Sequence, residues 1–425
     1  MVFLLLLALA SMARASEPVA YGAVRAARIR TLHGGVPQAP SLKPVASIPV
    51  APLGFTAPGA LYLGQRNSLV SLDFVDEERL LFTFRVPGLM RRTLQSGEVA
   101  SGGERRIRAL VLRLPDGVID TEAIWTVHDR ARYLWMLKDG HFLLRDGQGV
   151  SEGDAQLELK PLLHFPGPLL WLESDPEERF LVTNSREPAA EGAASSGTVH
   201  AQDGPEESAK PEIVVRVVRR GSNQVLLVSH VSSVLHLAFN SEGYVEPMRN
   251  RGIAWDLTMN PFTGGNRALG LVESTCMPMI EFLSRDRMLA TSCGMGGERR
   301  LSAVTQDGVM LWQDELPAAS VWPATVRAVN GMRLAVETLE LTHGLGTSSP
   351  FGPADVKGQT VRVLDASTGE LLLETAASPV YDAGGNIAIS PSGRRAAVLV
   401  GGAIQIFDLP FSGTPASSAA GQSVR

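Results

Sequence analysis

Between Thr360 and Leu409 the chain repeats one pattern closely enough to restrict its fold severely: TVRVLD-ASTG-ELLLET, then NIAIS-PSGR-RAAVLV, then AIQIFDL. Short aliphatic runs of strand length alternate with tetrads built on Ser-Thr-Gly and Pro-Ser-Gly. Glycine accepts positive φ and proline presets φ, so these tetrads are tight turns and the runs between them antiparallel strands.

The same grammar recurs upstream. Ser71 to Phe84 gives SLDFV-DEER-LLFTF, and Ala123 to Leu137 gives AIWTV-HDRAR-YLWML. Leu170 to Asn184 gives LWLES-DPEER-FLVTN, and a weaker copy runs from Leu235 to Met248. Met279 to Cys293, Thr325 to Leu341 and Asn386 to Val400 complete seven hairpins. Their spacing of roughly 45 to 65 residues is that of propeller blades. Between them lie second hairpins with Gly-containing turns, such as RALVLRL-PDG-VIDTE, VVRVVRR-GSN-QVLLVS and LSAVT-QDG-VMLWQDEL. FLLRD and LELKPLL read as the second pair of unit two. The seventh unit ends on the lone strand AIQIFDL and so lacks an outer strand. A closed ring tolerates no bare edge, so a segment within Val45 to Leu63 is expected to supply it. The pattern therefore predicts an all-β fold: a β-propeller of seven four-stranded blades closed by an N-terminal strand.

VRVLDASTGELLLE followed by IAISPSGRRAAVLVGGAIQIFDL resembles a WD40-type repeat, of the degenerate kind also seen in YVTN and quinoprotein propellers. The Thr-Gly after VLDAS and the Ser-Pro-Ser-Gly turn carry the resemblance. It departs in lacking a Gly-His pair, and Asp365 and Asp408 follow Leu and Phe rather than Trp. The resemblance implies the propeller and no particular family within it.

The 425 residues would ordinarily divide into several domains, but repeats bury their faces against neighbours and escape that limit. Residues 45–410 are assigned to the propeller, 16–44 to an N-terminal extension and 411–425 to a disordered tail. Val2 to Ala10 is apolar and Ala13-Arg14-Ala15 suits signal peptidase, so 1–15 reads as a signal peptide and the protein as extracytoplasmic, periplasmic or secreted. That apolar run is far too short to span a bilayer, and no transmembrane segment is expected. With 39 Lys and Arg against 44 Asp and Glu, the net charge of −5 provides no general attraction for nucleic acid. Cys276 and Cys293 flank a turn near Ser284-Arg285 at similar distances. They are either a cross-strand disulfide or two small buried hydrophobes.

Long insertions follow the second strands of units one, three and six: Val86 to Glu104, Arg186 to Pro211 and Thr342 to Gly358. Second-to-third strand loops share one face of a propeller, so that face is the expected binding surface. The insertion 186–211 is acidic, rich in Ala, Ser and Gly, and reads as disordered. Arg91, Arg92, Arg105, Arg106, Arg249, Arg251, Arg299 and Arg300 fall at the same loops, candidates for holding a carboxylate or phosphate.

Catalytic signatures are absent from the sequence. No Gly-x-Ser-x-Gly, His-Glu-x-x-His or phosphate-cradling Gly loop occurs, and His230 and His236 are the only histidines close together. His128-Asp129-Arg130 copies a kinase triplet in letters only. Asp76, Glu77, Glu177 and Glu178 read as turn residues facing solvent, and the six tryptophans as packing between blades. No metal site or cofactor is expected. The chain reads as a monomeric, non-enzymatic scaffold whose partner is a protein or a small anionic ligand. The competing reading is a propeller enzyme, a lactonase-like hydrolase or a quinone- or metal-dependent oxidoreductase.

Overall fold

The computed structural model describes residues 42–57, 70–86, 105–127, 132–187, 212–327, 331–344 and 352–410. Their strands form seven four-stranded antiparallel sheets. Six sheets are built from consecutive strands and the seventh from the two ends of the described chain. This is the seven-bladed β-propeller that the repeat pattern predicts.

The closing strand β1 (Ala46–Pro49) lies within the expected donor segment. Blade 1 comprises β2 (Val70–Phe74), β3 (Arg79–Arg85), β4 (Arg105–Arg113) and β5 (Val118–Val127). Blade 2 comprises β6 (Leu134–Met136), β7 (Phe142–Asp146), β8 (Gly149–Gly153) and β9 (Leu159–His164). Blade 3 follows with β10 (Leu169–Ser174), β11 (Phe180–Glu187), β12 (Glu212–Arg219) and β13 (Gln224–Val231). Blade 4 holds β14 (Ala238–Phe239), β15 (Gly243–Arg249), β16 (Ala254–Pro261) and β17 (Arg267–Glu273). Blade 5 holds β18 (Met279–Ser284), β19 (Arg287–Cys293), β20 (Arg299–Thr305) and β21 (Met310–Leu316). Blade 6 has β22 (Ser320–Arg327), β23 (Arg333–Leu341), β24 (Val356–Asp365) and β25 (Leu371–Ala376). Blade 7 has β26 (Ile387–Ile389), β27 (Arg395–Val400) and β28 (Ala403–Asp408), with β1 on its outer edge.

Ring closure rests on both backbone and side chain. Ala46 to Pro49 pair antiparallel with Ile406 to Ala403, and the Val45 and Val50 amides donate to Ile406 and Gly402 carbonyls at 2.7 and 3.0 Å. Ile48 and Val50 enter the core between blades 7 and 1, with Leu72, Phe82, Leu110, Leu399 and Ile404. An edge that would otherwise expose a row of amides is thus covered within the molecule.

Blade 2 departs from the sequence reading. Ala123 to Val127 is not half of a hairpin with Tyr133 to Leu137; it continues β5, paired with β4 through Arg105 opposite Val127. The first hairpin of blade 2 is instead β6–β7, turning at Asp139-Gly140. FLLRD is its second strand, not the third. The third strand is GVSEG, which carries almost no apolar signal. Its physical reason is Phe142: a Cβ on Gly153 would lie 2.2 Å from the Phe142 ring, so glycine there makes room for the aromatic. Blade 4 is also short on its inner edge. Its first strand spans only Ala238 and Phe239; upstream of it, Asn184 of β11 takes both the Leu235 amide and the Leu235 carbonyl. At the insertions, strand pairing extends further than the sequence suggests: Arg186 and Glu187 belong to β11, and Val356 already begins β24.

The assignments of residues 1–15, most of 16–44, residues 188–211 of the acidic insertion and the tail 411–425 lie outside the described residues, as does His128-Asp129-Arg130. Among the described residues, no helix is long and apolar enough to cross a membrane.

If β1 closes the ring, Ile48→Ala should lower stability by about 2–4 kcal/mol, the usual cost of truncating a buried Ile. Amide exchange at Ile404 and Ile406 should quicken more than at Val215 in blade 3. Equal exchange at both places would show that closure does not depend on β1.

Candidate functional site

A propeller's two faces are set by strand order: first-to-second and third-to-fourth turns lie on one, the remaining connections on the other. The first of these faces is occupied with holding the ring together. Asp76 stays within its own turn and accepts the Glu78 amide at 2.9 Å, as the sequence suggests. Glu77, Glu177 and Glu178 do more. Glu77 of blade 1 accepts the Ser392 amide of blade 7 at 2.7 Å, and Arg395 returns a bond to the Glu77 carbonyl. Glu178 of blade 3 accepts the Lys138 amide of blade 2 at 2.9 Å, and Glu177 the Ser241 amide of blade 4 at 3.3 Å. Asn240 of blade 4 donates to the Arg285 carbonyl of blade 5, while Arg285 returns to Glu242. Burial pushes the Glu178 carboxyl upward, against the lowering effect of the Lys138 amide and of the Lys138 and Arg220 charges. These carboxylates are not solvated turn caps but seams between blades.

The opposite face carries the three long second-to-third strand connections, between β3 and β4, β11 and β12, and β23 and β24. It also exposes a group of large apolar side chains over blades 4 and 5. Met295 is 78 % exposed, Met279 62 %, Met277 61 % and Met248 55 %. Met248 is next to last in the second strand of blade 4, Met277 lies in the connection between β17 and β18, Met279 opens β18, and Met295 lies in the connection between β19 and β20. Methionine is flexible and polarizable, and suits surfaces that must fit a partner's shape. Here Cys276 and Cys293 are joined as a disulfide, with Cα atoms 5.6 Å apart. It ties the link between blades 4 and 5 to the end of β19.

Of the arginines singled out in the sequence, those within the described residues lie on elements that end at this face but are not gathered into one funnel. Arg91 and Arg92 lie outside the described residues. Arg105 opens β4 and Arg106 is exposed, both in blade 1, across the ring from blades 4 and 5. Arg249 donates to the Gly252 carbonyl at 3.2 and 3.1 Å, with its guanidinium 5.9 Å from the Trp255 ring. Arg251 is exposed beside it. Arg300 pairs with Glu298 at 2.6 Å and Glu315 at 3.2 Å. Arg299 lies against sulfur, its Nη1 2.7 Å from Sγ of Cys293. The engaged guanidiniums find their partners within their own blade.

The two nearby histidines also separate: His230 meets Glu212 at 2.9 Å, whereas His236 stands edge-on to Trp171 with ring centres 4.2 Å apart. Burial lowers the His236 pKa, against the opposing charge of Glu173. Trp125, Trp135 and Trp312 are buried between blades; Trp312 donates from Nε1 to the Ala366 carbonyl at 3.0 Å. No cluster of three or more His, Cys, Asp or Glu suited to a metal occurs among the described residues.

Sequence reasoning missed a buried polar seam between blades 6 and 7. Gln359 donates to the Tyr381 carbonyl and accepts from the Tyr381 amide and from Asn386 Nδ2 at 3.0 and 2.9 Å. Glu337, fully buried on β23, accepts the Gly385 amide at 3.3 Å through one oxygen, while the other has no hydrogen-bond partner. Gly385 has φ +99°, and a Cβ there would strike the Val70 carbonyl of blade 1 at 2.3 Å. The loop that touches Glu337 is therefore pressed onto the first strand of the ring. Burial raises the Glu337 carboxyl to about 8, against the partial relief of the Gly385 and Asn386 amides and the charge of Arg132. Half-buried Asp73, bonded to the Ser71 hydroxyl at 2.6 Å, is raised by burial to about 6. No local motif marks Glu337, because its burial comes from a neighbouring blade.

No protein-family model matches the chain, and no curated protein is significantly similar to it in sequence. Solved structures resemble it in outline. The C-terminal WD40 domain of Sif2 is 11 % identical with a TM-score of 0.44, over 87 % of this chain and 99 % of that one. A mitotic checkpoint complex chain is 10 % identical at 0.45, over 88 % and 94 %. An acylaminoacyl peptidase from Pyrococcus horikoshii is 12 % identical at 0.46, over 78 % of this chain and 49 % of that chain. The propeller assignment stands on the sheet topology itself.

Glu337 makes stability depend on pH in a defined direction. Between about 4.5 and about 8 the folded protein holds a proton that the unfolded chain has released. Unfolding then releases that proton, so stability falls as pH rises through this window and levels off above it. Asp73 adds to the lower part of the decline, up to about 6. Glu337→Gln, neutral at every pH, should flatten the portion between pH 6 and 8 and raise the melting temperature at pH 8. Melting curves with the same slope in both proteins would remove Glu337 as its source.

Proposed function

We propose that this chain is an exported, monomeric scaffold that binds a partner protein through its loop-rich face. The observation that carries the reading is the division of labour between the faces. On one, the acidic turn residues are committed to neighbouring blades. On the other, Met248, Met277, Met279 and Met295 of blades 4 and 5 and their connections are exposed at the face where the long second-to-third strand connections begin and end. Apolar side chains exposed together, with cationic and acidic groups around them, are a surface built to be covered. Export is supported by the apolar N-terminal run and by the disulfide, a bond that oxidising compartments preserve. The exposed Arg106 and Arg251 would add acidic character to the partner's preferred surface.

A photo-crosslinking residue placed at Met279 or Met295, in the full chain produced in its exporting host, should trap one defined protein. The same residue at Met332, exposed on the opposite face, serves as control and should trap it several-fold less. Equal trapping from both faces, or none from Met279 and Met295, would refute binding at the loop-rich face.

A further inference from the structure

The disulfide has two unlike ends. Cys293, the last residue of β19, is 3 % exposed, so its sulfur is closed to an incoming reagent. Cys276 is partly exposed in the connection between β17 and β18, flanked by exposed Thr275 and Met277. The buried sulfur is also the one beside a cation: Nη1 of Arg299 lies 2.7 Å from Cys293 Sγ. In the register of β19 and β20, Arg299 stands directly opposite Cys293, so the guanidinium is placed by the backbone ladder. Its neighbour Arg300 is directed instead to Glu298 and Glu315. A fixed positive charge lowers the pKa of a thiol, and a thiol of lower pKa leaves a disulfide faster.

We propose that Cys276–Cys293 is a thiol–disulfide exchange site on the loop-rich face, entered at Cys276 and opened by a dithiol. A thiolate of that dithiol attacks Sγ of Cys276, forming a mixed disulfide. The Cys276–Cys293 bond breaks, and Cys293 departs with the electron pair as a thiolate against Arg299. The second thiol of the reagent then attacks the reagent's own sulfur in the mixed disulfide and releases Cys276. The dithiol is oxidised to its disulfide, the cysteine pair takes up two electrons, and the two protons pass from reagent to the freed sulfurs or solvent.

The local structure is organised to survive the opening. The Thr275 amide donates to the Cys293 carbonyl at 2.9 Å, and the Cys293 amide donates to Ser274 Oγ at 2.9 Å. Thr275 Oγ1 adds bonds to the Cys293 and Gly294 carbonyls at 3.3 and 3.2 Å. None of these needs the S–S bond, so the sulfurs stay close and the exchange is reversible. What the opening frees is the side-chain end of the segment that carries Met277. Control of partner binding by this route rests on the function proposed above; the exchange chemistry does not.

The test uses the folded full-length protein with reduced glutathione or dithiothreitol and no denaturant. After acid quench, mass mapping should place the glutathione adduct on Cys276, and dithiothreitol should yield two maleimide-reactive thiols with unchanged circular dichroism. Arg299→Gln should slow the opening at least about threefold, and Arg299→Lys should restore most of the rate. An adduct on Cys293, opening only after unfolding, or equal rates in wild type and Arg299→Gln would each overturn the proposal. The mapping on wild type decides the question even if Arg299→Gln does not fold. Crosslinking from Met279 is measured separately, so loss of the partner and loss of exchange are told apart.

Discussion

The pairing of β1 with β28 is the contact on which the rest of this ring depends. Each of the other blades is made from one continuous stretch of chain and could nucleate locally. Blade 7 cannot, because its outer strand arrives from the far end of the sequence. Ile48 and Val50 then join a core that also contains residues of blades 1 and 7, so one short strand closes the sheet edge and fills the last gap between blades. Such a long-range closure costs chain entropy once, and the cooperative gain is that no blade is left with a bare face.

Around that closure the structure concentrates its buried polar groups. Arg333 pairs with Asp365 at 2.5 Å and reaches the Pro410 carbonyl just beyond β28, tying blade 6 to the chain after the ring has closed. Gln359, Asn386 and Tyr381 interlock at the same seam, with Glu337 beneath the Gly385 turn. Hydrogen bonds of this kind demand a single geometry, whereas apolar contacts between strands tolerate sliding. The seam thus fixes where the last blade stands relative to the first, at a cost carried by Glu337, whose second oxygen is buried without a partner.

Much of the fold was legible because it depends on local chemistry. The STG and PSG turns, the alternation within strands and the missing outer strand of unit seven all belong to contiguous residues. Blade 2 was misread for the opposite reason: Gly153 is explained only by the Phe142 ring packed against it, and β8 has no hydrophobic signature of its own. Glu77, Glu177 and Glu178 looked like turn residues because their partners, Ser392, Ser241 and Lys138, belong to other blades. Strand order decides faces, so the sequence assigns the loop arginines to one face, but sequence carries no angle around the ring. It could not show that blade 1 stands apart from blades 4 and 5, or that Arg299 meets a sulfur.

These observations connect the two faces. A propeller must hold its blades edge to edge without a continuous sheet running between them, and here one set of turns provides much of that lateral cohesion through side-chain-to-amide bonds. Those bonds cross between blades on the short-turn side, whereas toward the other side the buried seam of Gln359, Tyr381 and Asn386 joins blades 6 and 7. The single covalent link among the described residues stands on the loop-rich side, tying the connection between blades 4 and 5, beside exposed Met277, to the end of β19. There Ser274, which accepts the Cys293 amide, and Thr275, which donates to the Cys293 carbonyl, already hold the strand end in place. A cross-link that duplicates existing bonds, next to surface that nothing in the fold covers, constrains the shape of that surface more than the integrity of the ring.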